Sequence, residues 1–200
     1  LKTAVPQRVR FIEEEVTDPT SLDADLVVGA DGVRSVVRGM VHRAAAERVA
    51  TPWIALRGRR TDDPDLEDCG EFWGRGLLFG MLPVEGWGAA WFTTHRSTLG
   101  PEPLDVPTVL AEARDVFADT ARAVRQTLDA VGPDTIATRL WVAPPLPRYV
   151  RDRYVVIGDA AHAMTPNLGR GACEALTDGV TLGAALSPGG VGLARWQARW

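Results

Sequence analysis

The chain has 200 residues, 46% of them apolar and 24% charged, with a formal net charge of −4. That is enough chain for one compact unit, or for one domain with part of another. The acidic balance argues against nucleic acid as a main partner, no apolar run has the length of a membrane span, and two cysteines, Cys69 and Cys173, are too few for a disulfide framework.

Leu1-Lys2-Thr3 shows no signal peptide, and the N-terminal fifty residues include Val9-Arg10-Phe11-Ile12 and the acidic run Glu13-Glu14-Glu15, read as a solvated strand end. Asp25 to Gly29 is an apolar strand that runs into Asp31-Gly32 and a short helix over Val33 to Arg38. Gly tolerates positive φ and Asp can bond its own downstream backbone, so this pair supplies turn chemistry. Arg34 and Arg38 are four apart and share a face if that segment is helical. From Pro52 the texture becomes alternating and aromatic. Trp53 to Arg57, Leu77 to Leu82 and Gly88 to Thr93 read as strands, with turns at Asp62-Asp63-Pro64 and Pro83 to Gly88. Consecutive strands with short turns predict an antiparallel sheet. After the loop Pro101 to Pro107, Val109, Leu110, Ala113, Val116 and Phe117 form a helical stripe that Ala121, Val124 and Leu128 continue. Thr135 to Val142 is a returning strand, and Pro144-Pro145-Leu146-Pro147 is a stiff link.

Tyr154 to Ile157 has the length and β-branching of a buried strand. Gly158-Asp159-Ala160-Ala161-His162 follows, then a loop with Pro166, Gly169 and Gly171, then a small-residue helix with Ala172, Ala175, Leu176, Gly179, Leu182, Gly183 and Leu186 at helical spacing. This order puts a carboxylate at a strand's C-terminal end and aims a helix N-terminus into the same crevice. The carboxylate accepts bonds from ligand hydroxyls, and free N–H groups at the helix start favour negative charge.

The stretch from Gly158 to about Asp178 resembles the second FAD-binding motif of the class A flavoprotein monooxygenases, the aromatic-hydroxylase-like family. The strand ending in Asp31-Gly32 resembles that family's Asp-Gly motif. The resemblance implies an α/β (α+β) fold: part of a Rossmann-like FAD-binding domain carrying an inserted mixed or antiparallel β-sheet substrate domain. Residues 1–50 and 145–200 then belong to the FAD-binding part and residues 51–144 to the substrate domain. It implies that Gly158 and Asp159 hold the ribityl chain, and that Pro166, Gly169, Gly171, Ala172 and Cys173 face the isoalloxazine. Asp31 and Gly32 fall near the pyrophosphate, and Arg34 near the approach of NADH or NADPH. Cys173 reads as a small packing residue, and His162 as a structural group orienting the loop. Arg170 stands where the family often has Gln, and Thr177-Asp178-Gly179 where it has Glu-Asp-Ala, which bears on placement of the helix.

The implied reaction is hydroxylation or epoxidation of an aromatic or other hydrophobic small molecule by O₂, through a flavin C4a-hydroperoxide, in a cytoplasmic bacterial enzyme. The cofactor carries the redox chemistry, the helix start near Gly171 and Ala172 stabilises negative charge on the flavin, and no side chain is assigned as acid or base. Trp53, Phe72, Trp73, Phe79, Trp91, Phe92 and Trp141 are candidate walls of the substrate pocket. No metal-ligand spacing occurs around His42, His95 or His162, and Ser35 lacks the context of a hydrolase nucleophile. The sole lysine, Lys2, and Gly86-Trp87-Gly88-Ala89 do not fit the related halogenases. No G-x-G-x-x-G is present: Trp91 follows Gly86-Trp87-Gly88 and Glu174 follows Gly169-Arg170-Gly171 at the third position. With Leu1 as first residue and Trp200 inside a helical pattern, the expectation is an internal portion of a longer enzyme, inactive in isolation. The competing readings are a non-catalytic flavoprotein remnant and an FAD-dependent reductase or dehydrogenase of related fold.

Overall fold

The computed structural model describes residues 5–62 and 64–198, so Lys2, Asp63 of the turn before Pro64, and Trp200 lie outside the described residues. In chain order the first elements are β1 (Val27–Gly29), α1 (Val36–Val41) and β2 (Val49–Arg60). Next come β3 (Gly70–Gly74), β4 (Leu77–Val84), β5 (Gly88–Arg96), α2 (Val106–Val116), α3 (Arg122–Asp129) and β6 (Ile136–Val142). The chain closes with β7 (Val150–Arg151), β8 (Tyr154–Val156), α4 (Asp159–His162), α5 (Gly171–Leu186) and α6 (Gly192–Gln197).

Two sheets result. In the smaller, β1 and β8 pair in parallel, Val27 opposite Tyr154 and Gly29 opposite Val156, and β7 returns antiparallel along β8. Parallel strands need a long crossover; here the crossover is the whole larger sheet with its helices. That sheet has the order β3-β4-β5-β2-β6 and every pair is antiparallel. The alternation over Gly70 to Gly74 escaped the sequence reading, and β4 runs through Pro83 and Val84 to a turn closed by Trp87 N–H on the Val84 carbonyl at 2.9 Å.

Period-two alternation divides the larger sheet between two faces. Ile54, Leu56, Phe79, Met81 and Trp91 point to one side, where Val109, Ala113 and Phe117 of the α2 segment and Val124 and Leu128 of α3 close a core. The helical stripe is therefore real but broken. The chain leaves helix after Val116 and re-enters at Arg122, and Val116 itself is exposed. Asp105 starts α2 by accepting from Thr108 N–H at 3.0 Å, with Pro107 in the first turn.

Around the smaller sheet, α1 lies so close to β1 that a Cβ on Gly29 would sit 2.5 Å from the Val37 Cβ, so only glycine fits there. Arg38 of α1 is buried, and Arg34, in the turn before it, is exposed. The two do not share a face, because helix begins only at Val36. The Arg38 guanidinium donates to the carbonyls of Ala45 (2.5 Å), Ala160 (2.9 Å), Ala161 (2.6 Å) and Pro144. It thereby ties α1 to α4 and to the proline link. Hydrogen bonds from a charged donor contribute about 1.5–3 kcal/mol each, which offsets the burial that pushes the guanidinium below its ordinary range. Val155, Leu182, Ala185 and Trp196 form a second core under α5 and α6. On α5 the buried face is Asp178, Leu182 and Ala185, not the stripe through Leu176; Leu176 and Val180 are exposed. The inward turn of Asp178 sets that rotation.

Candidate functional site

Strand β8 ends at Val156, and Gly158 follows with φ of 58°, a left-handed conformation that suits glycine. The Gly158 N–H donates to Asp178 Oδ2 at 2.7 Å, and His162 Nε2 lies 2.8 Å from the same oxygen. One buried carboxylate on α5 thus fixes the turn and the far end of α4. His162 orients this segment through Asp178, in line with the structural role read from sequence. Asp159, next in the chain, faces the other way: its carboxylate is exposed and makes no hydrogen bond or ion pair among the described residues.

Asp159 lines a crevice of about 610 Å³ with Ala30, Gly32, Ile157, Gly158, Met164, Pro166, Gly169, Gly171, Ala172 and Ala175. A Cβ on Gly171 would stand 3.9 Å from Asp159 Oδ1, and one on Gly158 3.1 Å from the Ala175 Cβ. The absence of both side chains keeps the crevice floor open. Helix α5 begins at Gly171 with no side-chain cap, leaving its first-turn N–H groups free to bind an acceptor. Sixteen residues of aligned peptides place partial positive charge there. A free carboxylate, a backbone cradle and an uncapped helix start suit a ligand that combines hydroxyl groups with an electron-rich ring edge. The polyol and isoalloxazine of FAD have that chemistry, so the residues present fit the group.

Of the expected cofactor residues, Gly32, Gly158, Asp159, Pro166, Gly169, Gly171 and Ala172 meet at this crevice. Asp31 and Arg34 line a neighbouring cavity of about 560 Å³ together with Val28, Gly29 and Ala30. Asp31 Oδ2 accepts from the N–H groups of Val36 (2.8 Å) and Val37 (3.4 Å) in the first turn of α1, whose N-cap is Ser35, its hydroxyl accepting from Arg38 N–H at 2.9 Å. Cys173 is exposed and unpaired, and lines neither cavity.

A further cavity of about 670 Å³ lies on the face of the larger sheet opposite its helices. Leu78, Leu82, Phe92, Ile136 and Leu140 give it apolar walls, and Pro166 and Gly169 line it as well as the crevice. The loop between α4 and α5 is therefore the shared wall where the two spaces meet. Alternation sorts the seven aromatic candidates. Phe92 faces this cavity, Trp91 reaches its edge from the core, and Phe72 and Phe79 pack on the opposite face. Trp53 and Trp73 line a smaller space of about 220 Å³ that shares Leu78, Thr94 and Asn167 with the larger one. Trp141 lies outside these cavities, stacked under Arg48 with 3.5 Å from guanidinium carbon to ring centroid. Gly80 lets the Phe92 ring lie across β4, since a Cβ there would fall 2.3 Å from the ring.

The cavity is not purely apolar. Arg57, Arg59, Glu71 and Asp134 also line it. Arg59 donates to the Trp87 carbonyl at 2.7 Å and stacks on the Trp87 ring, whereas Arg57 makes no hydrogen bond or ion pair among the described residues. The sequence reading has Arg57 only as the end of a strand; that it shares a face with Ala55, two residues away, and lines the cavity is seen in the structure. Asp178 keeps the Asp of the family's Glu-Asp-Ala and ends the stretch that carries the resemblance, but nothing in the sequence points to its bonds with Gly158 and His162.

A family model described as an FAD binding domain matches residues 111–194. Over 193 residues the chain is 33% identical to aurachin C monooxygenase/isomerase of Stigmatella aurantiaca, covering 92% of this chain and 49% of that protein. It is 36% identical over 179 residues to 2-heptyl-3-hydroxy-4(1H)-quinolone synthase of Pseudomonas aeruginosa, covering 84% of this chain and 44% of that one. The crystal structure of Klebsiella pneumoniae HpxO complexed with FAD and uric acid superposes with a TM-score of 0.75 at 27% identity, covering 88% of this chain and 46% of that chain. The chain spans about half the length of the curated relatives it matches.

Proposed function

This chain belongs to the class A FAD-dependent monooxygenase family, and on that premise we propose that it forms the flavin-facing and substrate-facing part of a hydroxylase for a small aromatic molecule. The observation that carries the reading is the free Asp159 carboxylate opposite the uncapped start of α5, in a crevice that shares Pro166 and Gly169 with the cavity on the sheet. When bound, FAD supplies the redox chemistry: NAD(P)H and O₂ are consumed, one oxygen atom enters the substrate and the other leaves as water.

The protein's own part is to bind, orient and exclude water. Asp159 would accept from ribityl hydroxyls, and the N–H groups of Gly171 and Ala172 would hold the electron-rich edge of the ring system. The larger sheet, with residues 51–144 read as the substrate domain, would cover the ring, since Pro166 and Gly169 line both spaces. Phe92, Leu78, Leu82 and Ile136 remove water from the space beside it. Arg57 narrows the substrate class. A guanidinium with no partner among the described residues, in a cavity with apolar walls, favours an aromatic ring bearing a carboxylate, a phenolate or a ring carbonyl. Uric acid, named with HpxO, is a ring compound of this polar kind. No helix among the described residues is long and apolar enough to cross a membrane.

Asp159→Ala tests the reading. Removing a charged acceptor from ligand hydroxyls weakens FAD binding by about 1.5–3 kcal/mol, read by quenching of flavin fluorescence on titration. Because the Asp159 carboxylate bonds nothing among the described residues, the melting temperature without FAD stays unchanged. Unaltered FAD affinity in the folded variant would remove Asp159 from the site.

A further inference from the structure

Beside the cavity on the larger sheet lies the smaller chamber of about 220 Å³, for which the proposed reaction has no use. Strand register lays its floor. Trp73 of β3 stands opposite Leu78 of β4, Leu78 opposite Thr94 of β5, and Thr94 opposite Ala55 of β2. Residues opposite one another point to the same face, so Leu78 and Thr94 floor the chamber and Trp73 stands at the outer end of their row. Trp53, two residues before Ala55, shares that face and closes a second side. The tip of its ring reaches the turn between β3 and β4, where a Cβ on Gly76 would lie 3.6 Å away.

Both indoles are held in place, yet neither serves the core. Arg96 stacks on Trp53 with 5.5 Å from guanidinium carbon to ring centroid, and Trp73 Nε1 donates to Glu71 Oε2 at 3.0 Å. Trp73 is 60% exposed and Trp53 half-buried, on the face turned away from α2 and α3. We propose that this chamber is the pocket for an apolar, planar substituent of the substrate, the size of one six-membered ring.

Volume is the first argument. A dry apolar cavity of about 150 Å³ takes benzene, so 220 Å³ holds a phenyl ring with little to spare. Chemistry is the second. Indole walls favour an aromatic partner, and Arg96, already stacked on Trp53, disfavours a cation there. Continuity is the third. Leu78, Thr94 and Asn167 line both spaces, so the chamber opens onto the cavity beside the loop between α4 and α5. Arg57 stands opposite Phe92, two residues along from the Ala55–Thr94 pair, which is about 7 Å along the strands. One molecule of two parts spans that distance: a ring whose oxygen meets Arg57, and a phenyl-sized substituent between the tryptophans. This deepens the function proposed above by giving its substrate a shape, and it rests on that reading for the role of Arg57.

Isothermal titration of the flavin-free protein with benzoate, biphenyl-3-carboxylate and biphenyl-4-carboxylate tests the chamber. Benzoate supplies the carboxylate and one ring, and the biphenyls add the second ring. The better biphenyl isomer binds about tenfold or more tightly than benzoate, the lower end for an added apolar group in a fitted pocket. Trp73→Ala and Trp53→Ala each cut that advantage to about threefold or less, because an aromatic wall is gone. No advantage in the wild type, an advantage that survives both variants, or no binding of any of the three acids overturns the proposal. Arg57→Gln separates the two readings. Equal weakening of benzoate and biphenyl supports both. Undiminished benzoate binding takes Arg57 out of the function proposed above, while a biphenyl advantage still lost in Trp73→Ala upholds the chamber. Should an alanine variant not fold, the wild-type Trp53 and Trp73 indole N–H resonances, assigned with Trp53→Phe and Trp73→Phe, must shift on saturation with the biphenyl and not with benzoate; unmoved resonances are equally decisive against it.

Discussion

Asp178→Ala is the sharpest perturbation of the Gly158 turn, because one buried oxygen serves two groups. In the wild type, Asp178 Oδ2 accepts from Gly158 N–H at 2.7 Å and lies 2.8 Å from His162 Nε2, with its side chain 3% exposed. Truncation leaves the Gly158 N–H buried without an acceptor and withdraws the partner that orients His162. Hydrogen bonds to a charged group contribute about 1.5–3 kcal/mol each, and relief of the buried carboxylate's desolvation returns part of that. The expected loss of stability is about 3–4 kcal/mol, read from urea unfolding with an unchanged slope. For a chain of this length that corresponds to a fall in Tm of roughly 6–16 °C. Asp178→Asn keeps an oxygen for Gly158 N–H and loses about half as much. A double-mutant cycle with His162→Ala gives a coupling of about 1 kcal/mol or more if the contact is direct. Because Gly158 aims Asp159, FAD affinity falls in Asp178→Ala as well. A loss of stability below about 0.5 kcal/mol, the level of an ordinary surface substitution, would refute the assignment of Asp178 as the anchor of the turn.

Two further outcomes follow from the larger sheet. Gly80→Ala places a methyl group 2.3 Å from the Phe92 ring, so it costs about 1–3 kcal/mol by overpacking; Phe92→Leu in the same chain restores most of it, and an unshifted melting curve for Gly80→Ala alone would show that the ring yields freely. His95 is fully buried with Glu112 3.6 Å away, and burial holds its pKa below the ordinary 6.5 against the weaker upward pull of that carboxylate. Its unfolded form therefore takes up a proton first as pH falls. Stability associated with His95 is intact above about 6.5, is lost as pH drops from there toward the depressed folded value, and levels off below it. Urea midpoints at pH 7.5 and 5.5 differ less in His95→Gln than in wild type; equal differences would show that His95 does not titrate on unfolding.

Residues that act through the backbone next to them were legible in the chain. The β-branched run before Gly158-Asp159, the glycines of the following loop and the alternation of β2, β4 and β5 are local patterns, and local sterics alone produce strand, turn and helix from them. Gly158, Asp159, Pro166, Gly169, Gly171 and Ala172 line one crevice because a strand–turn–helix unit brings neighbours in sequence together, and Gly32 joins them because β1 pairs with β8; it was the resemblance to the family's motifs that singled these residues out. What the sequence did not disclose was the partner of each charged side chain. Arg34 pairs with Glu102 and Arg38 with Ala160 and Ala161, contacts between residues far apart in the chain. Asp178 turns inward because a Gly158 N–H at the end of another element needs an acceptor, which rotates α5 away from its apolar stripe and leaves Leu176 exposed. The tertiary structure likewise chose among the aromatics, sending Phe79 to the core and Phe92 to the cavity, because only the packing of α2 and α3 decides which face of an alternating sheet is covered. Local propensity writes the elements; long-range charge pairing and the helix-covered face decide what each side chain meets.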